Sequence, residues 1–465
     1  TATAWGGACA PVDTVFPLWG GYAFRPWMFY DGKLKEHPAT AEYLYGDFHN
    51  NTAPKYYNFD PEYPAEDFPY ACCEMGGGMN VYYPYRFKLP MESVGALAQV
   101  KTGSGCNFLG YYMYHGGTHP KGKKVPYLNE CAVPKFSYDY QAHLFYHEFQ
   151  EEFTATKTVL SQEACTQQPE DVETLRYVVR VDEEGKGFLF LNNYQDHVEG
   201  IEQKDFAVEI HTDKGTVRIP EKGSINLGKE CCAILPVWFD IHGIILKYAT
   251  EQLVTRIKRQ EADYYIFAGI AGMRREFLFE NTIIVEEIEG CSVFENRVQV
   301  EEKQCGVFSF IGKDGKKCVV VSITEEDVMK LWQLDTSEGR RLIFSEVPIL
   351  YKEEKLEMEY TFGKNINLAV FPCEKNEVII SGKKLKCTGN YGVFKKFETF
   401  SQNRKLEYLY ENKSTVNEDG DGKLKRPVVG SPVSSTKIVN ARAILKFKPE
   451  DFEDVNQLIL KIKYE

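Results

Sequence analysis

The sequence predicts an α/β plus all-β chain, with a parallel α/β sheet at its start and antiparallel β-structure over the rest. Two observations carry this. Within residues 68–117 a strand-length apolar run, a helix-period segment closed by glycine and a dense aromatic run follow one another. That strand–helix–strand order is what a parallel sheet requires. Beyond about residue 170 the chain turns into short alternating runs cut by Gly, Asn, Asp and Pro, the form of antiparallel strands and their turns. A length of 465 residues exceeds one ordinary domain of about 100–200, so several units are expected.

The elements follow in order. FPYACC (68–73) has strand length and leads into Glu74 and the glycines of MGGGM. MESVGALAQVKTGSG (91–105) places apolar residues at 94, 97 and 98 and glycine at 105, which predicts a short helix ended by that glycine. CNFLGYYMYHGG (106–117) predicts the next strand. HLFYHEFQEEFTATKTVL (143–160), apolar at 144, 145, 149, 153 and 160, predicts a second helix. TLRYVVRV, GFLFLNN, FAVEIHT, GTVRIP and GSINLG predict strands, as do CVVVSIT, KLWQLD, INLAVFP and NEVIISG further on. One or two β-sandwich domains are expected there. Residues 411–436 are polar and rich in Gly, Ser and Pro, a loop or linker. Their NEDGDG lacks the downstream closing glutamate of a calcium-binding EF-hand. DVNQLILKIKYE (454–465) reads as a last strand. The units are placed at 1–163, 164–250, 251–435 and 436–465.

Composition excludes several function classes. A net charge of −12 argues against nucleic acid and against an anionic membrane surface as partners. No run of about 18 apolar residues predicts a membrane-spanning helix. The opening TATAWGGACAPVDTVF has neither the basic nor the apolar region of a signal peptide. It begins in a strand-like run without Met, so the true N-terminus is expected elsewhere. The 13 cysteines are scattered, with vicinal pairs at Cys72–Cys73 and Cys231–Cys232 and no CxxC spacing. They predict reduced, packed thiols, a cytoplasmic location and no zinc ribbon. The 29 Tyr and 30 Phe supply core volume and flat faces for ring-shaped ligands.

One carboxylate stands out. Glu74 sits between an apolar strand and three glycines, which let backbone approach a ligand closely. A tight turn with a solvated glutamate explains that spacing, and so does a catalytic group at a strand's C-terminal end. Two further strand ends weigh in. GYYMYHGGTHPKG (110–122) and KFSYDYQA (135–142) also set aromatics beside small or polar residues. Buried Tyr hydroxyls and His need partners, whereas the rim of a sugar pocket uses them.

Taken together, CEMGGGM, LGYYMYHGGT and SYDYQA resemble the β-galactosidases of glycoside hydrolase family 35. TATAWGG with VDTVFPLWGGYAFRPW resembles that family's late barrel strands, and GFLFLNNYQDH, GSINLG, CAILPVWFDIHGIILKYAT and DVNQLILKIKY extend the likeness over most of the chain. The resemblance implies the C-terminal part of a (β/α)8 TIM barrel in residues 1–163, then antiparallel β-sandwich domains. A further, jelly-roll-like domain would start at 436. It implies a retaining exo-β-galactosidase acting on a β-galactoside carbohydrate, with no cofactor and no metal. Residue by residue, it makes Glu74 the nucleophile and Tyr112 and Tyr138 substrate-binding groups. His115 and Asp139 take supporting roles. The sequence departs from the family in two places. The family's acid/base glutamate, on a strand well before the nucleophile, has no counterpart in the 73 residues ahead of Glu74. Asn129–Glu130 comes after the eighth strand. A loop and part of a helix are also missing between Ala142 and His143. The sequence leaves oligomeric state open, and a non-catalytic carbohydrate-binding protein is the alternative reading.

Overall fold

The structure, a computed structural model, describes residues 2–5, 11–22, 39–45, 64, 67–76, 78–79, 92–112, 139–140, 157–159, 167–196, 198–352, 355–358, 363–380, 382–401, 407–413, 415–417, 438–440 and 443–452. Its first unit holds β1 (Ala2–Trp5), β2 (Val15–Tyr22), β3 (Ala71–Gly76), β4 (Gly78–Met79), helix α1 (Glu92–Gly103), β5 (Phe108–Tyr112) and β6 (Asp139–Tyr140). β1, β2, β3 and β5 form a four-stranded sheet in that order, and every pairing in it is parallel. Helix α1 is the crossover from β3 to β5, as its spacing predicts. Beyond its end Gly105 takes φ +100°, a conformation glycine adopts without a steric cost. On one face of the sheet Cys72, Met75, Leu109 and Tyr111 pack with Ala96 and Leu97 of α1. On the other face Phe108 is 55% exposed.

The expected helix over 143–160 does not extend to its end. Lys157–Val159 is a strand, β7, paired antiparallel with β8 (Arg176–Val181). Thr158 and Val159 are β-branched and fit an extended edge better than a helix. The Thr158 hydroxyl also donates to the carbonyl of Gly103 at 2.9 Å, which fixes the strand beside the end of α1. The earlier part of that segment, 143–156, lies outside the described residues, as does DVNQLILKIKYE.

β-structure makes up the rest. After β8 come β9 (Gly187–Asn192), β10 (Gln203–Phe206), β11 (Val208–Thr212), β12 (Gly215–Ile219), β13 (Ile225–Leu227), β14 (Cys232–Ile241) and β15 (Ile244–Ala249). β16 (Gln252–Lys258), β17 (Asp263–Ala268), β18 (Glu276–Phe279), β19 (Glu287–Glu289), β20 (Cys291–Phe294), β21 (Arg297–Val300), β22 (Gly306–Ile311) and β23 (Lys317–Ile323) follow. They build an antiparallel eight-stranded sheet, β20-β21-β18-β15-β14-β9-β8-β7, and a five-stranded sheet, β16-β17-β23-β22-β19. A third sheet, β24-β25-β28-β32-β31, uses β24 (Leu331–Thr336), β25 (Gly339–Ser345), β28 (Asn365–Phe371), β31 (Gly389–Tyr391) and β32 (Phe394–Phe400). Two hairpins lie among these strands, β26 (Ile349–Lys352) with β27 (Lys355–Met358), and β29 (Glu377–Ile380) with β30 (Lys383–Lys386).

The sheets stack in layers, and alternation along the central strands shows how. In β9 the residues Phe188 and Phe190 enter the core between the eight- and five-stranded sheets, while Leu189 and Leu191 enter a second core on the other face, under β10–β13. In β23 Cys318 and Val320 join the first core, and Val319 and Val321 face the third sheet. In β25 Leu342 and Phe344 face inward and Ile343 packs outward with the hairpins. Period-two alternation with both sets apolar is the signature of a strand buried on two sides. The first core is held by edge-on aromatic pairs, including Phe267–Phe277 at 5.0 Å and Phe277–Phe308 at 5.3 Å between ring centroids. The eight-stranded sheet spans residues 157–300, so the boundaries expected at 163 and 250 do not coincide with the limits of a sheet.

Candidate functional site

Three sequence motifs meet around β3. Glu74 lies in the last half of that strand, with its backbone opposite Gly20 of β2. Tyr112 is the last residue of β5 and lies opposite Gly76, two residues beyond Glu74. The last glycine of the run, Gly78, and Met79 form β4, and β4 pairs antiparallel with β6, Gly78 opposite Tyr140 and Met79 opposite Asp139. CEMGGGM, LGYYMY and SYDYQA are thus neighbours in space. Tyr138, which immediately precedes β6, lies outside the described residues, as do His115 and the Asn129–Glu130 pair.

β3 carries one residue more than either neighbour in the stretch between Cys72 and Met75, next to Glu74. The step Trp19–Gly20 in β2 spans Cys72 to Glu74 in β3, and Leu109–Tyr111 in β5 spans Cys72 to Met75. Such a bulge is rare between parallel strands, and bulges cluster next to active sites, where they re-aim a side chain. It also explains why Cys72 and Met75, three apart, are both buried against α1. The sequence offers no sign of this extra residue.

The support behind β3 comes from the β-domain. Tyr194, in the loop after β9, shares a buried cluster with Cys72, Met75, Leu97 and Tyr43, and its ring centroid lies 4.8 Å from that of Tyr43. Helix α1 is buried on almost every side, polar residues included. The Gln99 amide donates to the carbonyls of Leu191 and Ala233 at 3.1 and 3.3 Å, and Tyr45 and Gln99 hydrogen-bond to each other. Lys101 and Glu42 form a 2.8 Å ion pair, at 2% and 3% exposure. Arg180 donates to the Thr102 carbonyl at 2.8 Å and to Asn107 at 2.9 Å, and burial pulls its guanidinium down to about 10. Asp196 accepts from the Thr40 amide and hydroxyl at 2.8 and 3.1 Å. The 39–45 segment, α1 and the eight-stranded sheet therefore form one hydrogen-bonded wall behind Glu74. None of these polar contacts was legible from spacing.

Cys106, Cys231, Cys232, Cys291, Cys305, Cys318, Cys373 and Cys387 carry free thiols, and Cys72 packs in the core as expected. Burial raises the thiols of Cys106, Cys231 and Cys318 to about 11 and those of Cys291 and Cys305 to about 12. Such thiols stay protonated near neutrality and are poor nucleophiles. Among the described residues no group of three or more His, Cys, Asp or Glu could hold a metal ion, and no helix is long and apolar enough to cross a membrane.

Residues 156–339 match the family model described as β-galactosidase, domain 2. The match covers the eight- and five-stranded sheets, including the strands on which α1 rests. Through this domain the chain is related to the β-galactosidases. No curated protein matches the chain.

Proposed function

We propose that the protein is a retaining exo-β-galactosidase of glycoside hydrolase family 35, with residues 1–163 forming the C-terminal part of its TIM barrel. The observation that carries the reading is the convergence of the three motifs at a bulged strand, backed by a β-galactosidase domain. The all-parallel β1-β2-β3-β5 sheet with its α1 crossover is the expected form of consecutive barrel strands. In this reading Glu74, ionised, attacks the anomeric carbon of a terminal β-galactose. The glycosidic C–O bond breaks, and the leaving oxygen takes a proton from a second carboxyl group. Water then attacks the glycosyl–enzyme, gives its proton to that second group, and releases galactose with its configuration retained. Retention requires the two carboxyls to lie roughly 5–5.5 Å apart. The partner needs a raised pKa to stay protonated until it acts. Tyr112 and Tyr138 bind the sugar, and no metal takes part. Carbohydrate breakdown in the cytoplasm is the setting that goes with this reading.

Glu74→Gln tests it. Turnover of an aryl β-galactoside should vanish while galactose still binds and the melting temperature holds. Substantial residual turnover would remove Glu74 from the nucleophile role. A complete wild-type protein that binds galactose and never turns over the aryl galactoside would instead favour a carbohydrate-binding protein.

A further inference from the structure

A groove of about 350 Å³ opens on the third sheet, far in sequence from Glu74, between strands β25, β28 and β32 and the short helix Glu325–Val328. Its floor is a row of cross-strand neighbours: Phe344 opposite Ala369, Ala369 opposite Lys396, and Asn367 opposite Glu398. Tyr391 and Asp327 form one wall. The volume is in the range that holds a small ligand, about 300–1,000 Å³.

The polar groups sort into two sets. Asp327 is committed, accepting the Tyr391 hydroxyl at 2.6 Å and the Thr324 hydroxyl at 2.9 Å. Lys330 lies 3.5 Å from Asp327 and 3.8 Å from Glu346, and the Lys396 ammonium lies 5.6 Å from the centre of the Tyr391 ring. Asn367 and Glu398 are uncommitted. Both are exposed, and among the described residues neither side chain has a hydrogen bond or ion pair. As a directly opposed pair on one face, their Cβ atoms sit about 4.5–5.5 Å apart. An amide offers two donors and an acceptor, and the carboxylate offers acceptors only. Adjacent hydroxyls of one sugar ring satisfy such a pair. Two residues beyond Glu398, on the same face by alternation, Phe400 is 57% exposed. The opposite face of β32 sends Phe397 into the hairpin core, so Phe400 is left over by the packing. A flat aromatic beside an amide–carboxylate pair, in a lining of three carboxylates and two ammoniums, suits a neutral polyol with an apolar C–H face.

We propose that this groove is a second carbohydrate site, which holds a chain of β-linked galactose away from the Glu74 region. Asn367 and Glu398 take neighbouring hydroxyls, and Phe400 carries the apolar face of a sugar ring. The polyol class follows from the groove itself. The choice of galactose rests on the reading given above for Glu74.

Native electrophoresis of the full chain through gels containing β-1,4-galactan tests the site. The wild type should be retarded relative to a polysaccharide-free gel. Asn367→Ala with Glu398→Ala should weaken the apparent affinity about tenfold, as expected for the loss of two hydrogen bonds. Phe400→Ala should do likewise, and aryl-galactoside turnover should be unchanged in both. Each replaced side chain is exposed, and an unaltered melting temperature checks the fold. Glu74→Gln should abolish turnover and leave retardation intact, so the two readings fail separately. The inference is overturned if the wild type is not retarded by galactan, or if retardation survives in both groove variants. It is equally overturned if retardation is lost in Glu74→Gln alone.

Discussion

At the scale of single residues, the wall behind Glu74 makes sharp demands. Lys101 and Glu42 are both buried, and removing one partner strips the other of a 2.8 Å ion pair away from water. Lys101→Met should cost about 3–5 kcal/mol, measured as a shift of the urea midpoint. Adding Glu42→Leu should restore much of that loss, because an apolar pair of similar volume carries no desolvation penalty. Tyr138→Phe belongs to the catalytic reading. It should lower kcat/KM for an aryl galactoside roughly 2- to 12-fold, the equivalent of one hydrogen bond at about 0.5–1.5 kcal/mol. A loss as large as that from Glu74→Gln would give its hydroxyl a part in the chemistry itself.

At the scale of elements, the end of α1 is tightly fitted. A Cβ at Gly103 would stand 2.7 Å from a Tyr45 ring carbon, 3.0 Å from Val178 and 3.1 Å from Phe190. In an exposed helix, alanine would gain about 1 kcal/mol over glycine. Here all three neighbours are fully buried, and overpacking costs about 1–3 kcal/mol. Gly103→Ala should therefore lower the melting temperature. A second element-level tie is electrostatic. His242, in the β14–β15 turn, bonds Asp314 of the β22–β23 turn at 2.7 Å and Asp263 of β17 at 3.0 Å, and Lys316 lies 3.7 Å from Asp263. The bond to Asp314 is the largest cause and lifts the imidazole above its ordinary value; burial opposes it, and the bond to Asp263 adds a smaller upward push. A pKa raised on folding adds stability that is complete below the unfolded value of about 6.5 and is lost as pH rises through the folded one. The melting temperature should thus fall from pH 6 toward pH 8 more in the wild type than in His242→Gln. The sequence made some of these elements plain and hid others. GFLFLN and CVVVSI declare strands because both of their faces are apolar. Helix α1 was visible from Val94, Leu97 and the closing glycine, but the burial of Gln99 and Lys101 was not, since their partners lie in remote segments. β7 was hidden because a three-residue edge strand closes a helix-like pattern. Around Glu74, the glycines and aromatics were legible, while the extra residue in β3 depends on register with two other strands.

At the scale of the whole molecule, the matched β-galactosidase domain has a neighbour on each side. Its eight-stranded sheet receives α1, and its five-stranded sheet shares the core of Val319, Val321, Leu342 and Phe371 with the third sheet. A fragment of residues 156–339 would expose both surfaces. It should bind a hydrophobic dye and unfold at lower urea than a fragment of residues 156–400, which keeps the shared core. Equal midpoints for the two would mean that the third sheet is an independent appendage. The seating of α1 also sets a timetable for synthesis. The helix ends at Gly103, yet the carbonyl of Ala233 that Gln99 grips is made 130 residues later. At about 5–20 residues per second, that is roughly 6–26 s during which the helix has been made but its seat is incomplete. The nascent chain must shield, for that interval, a helix that the folded protein buries on nearly every side. Slowing or speeding translation between the two points should therefore change the yield of folded protein more than the same change made after residue 240.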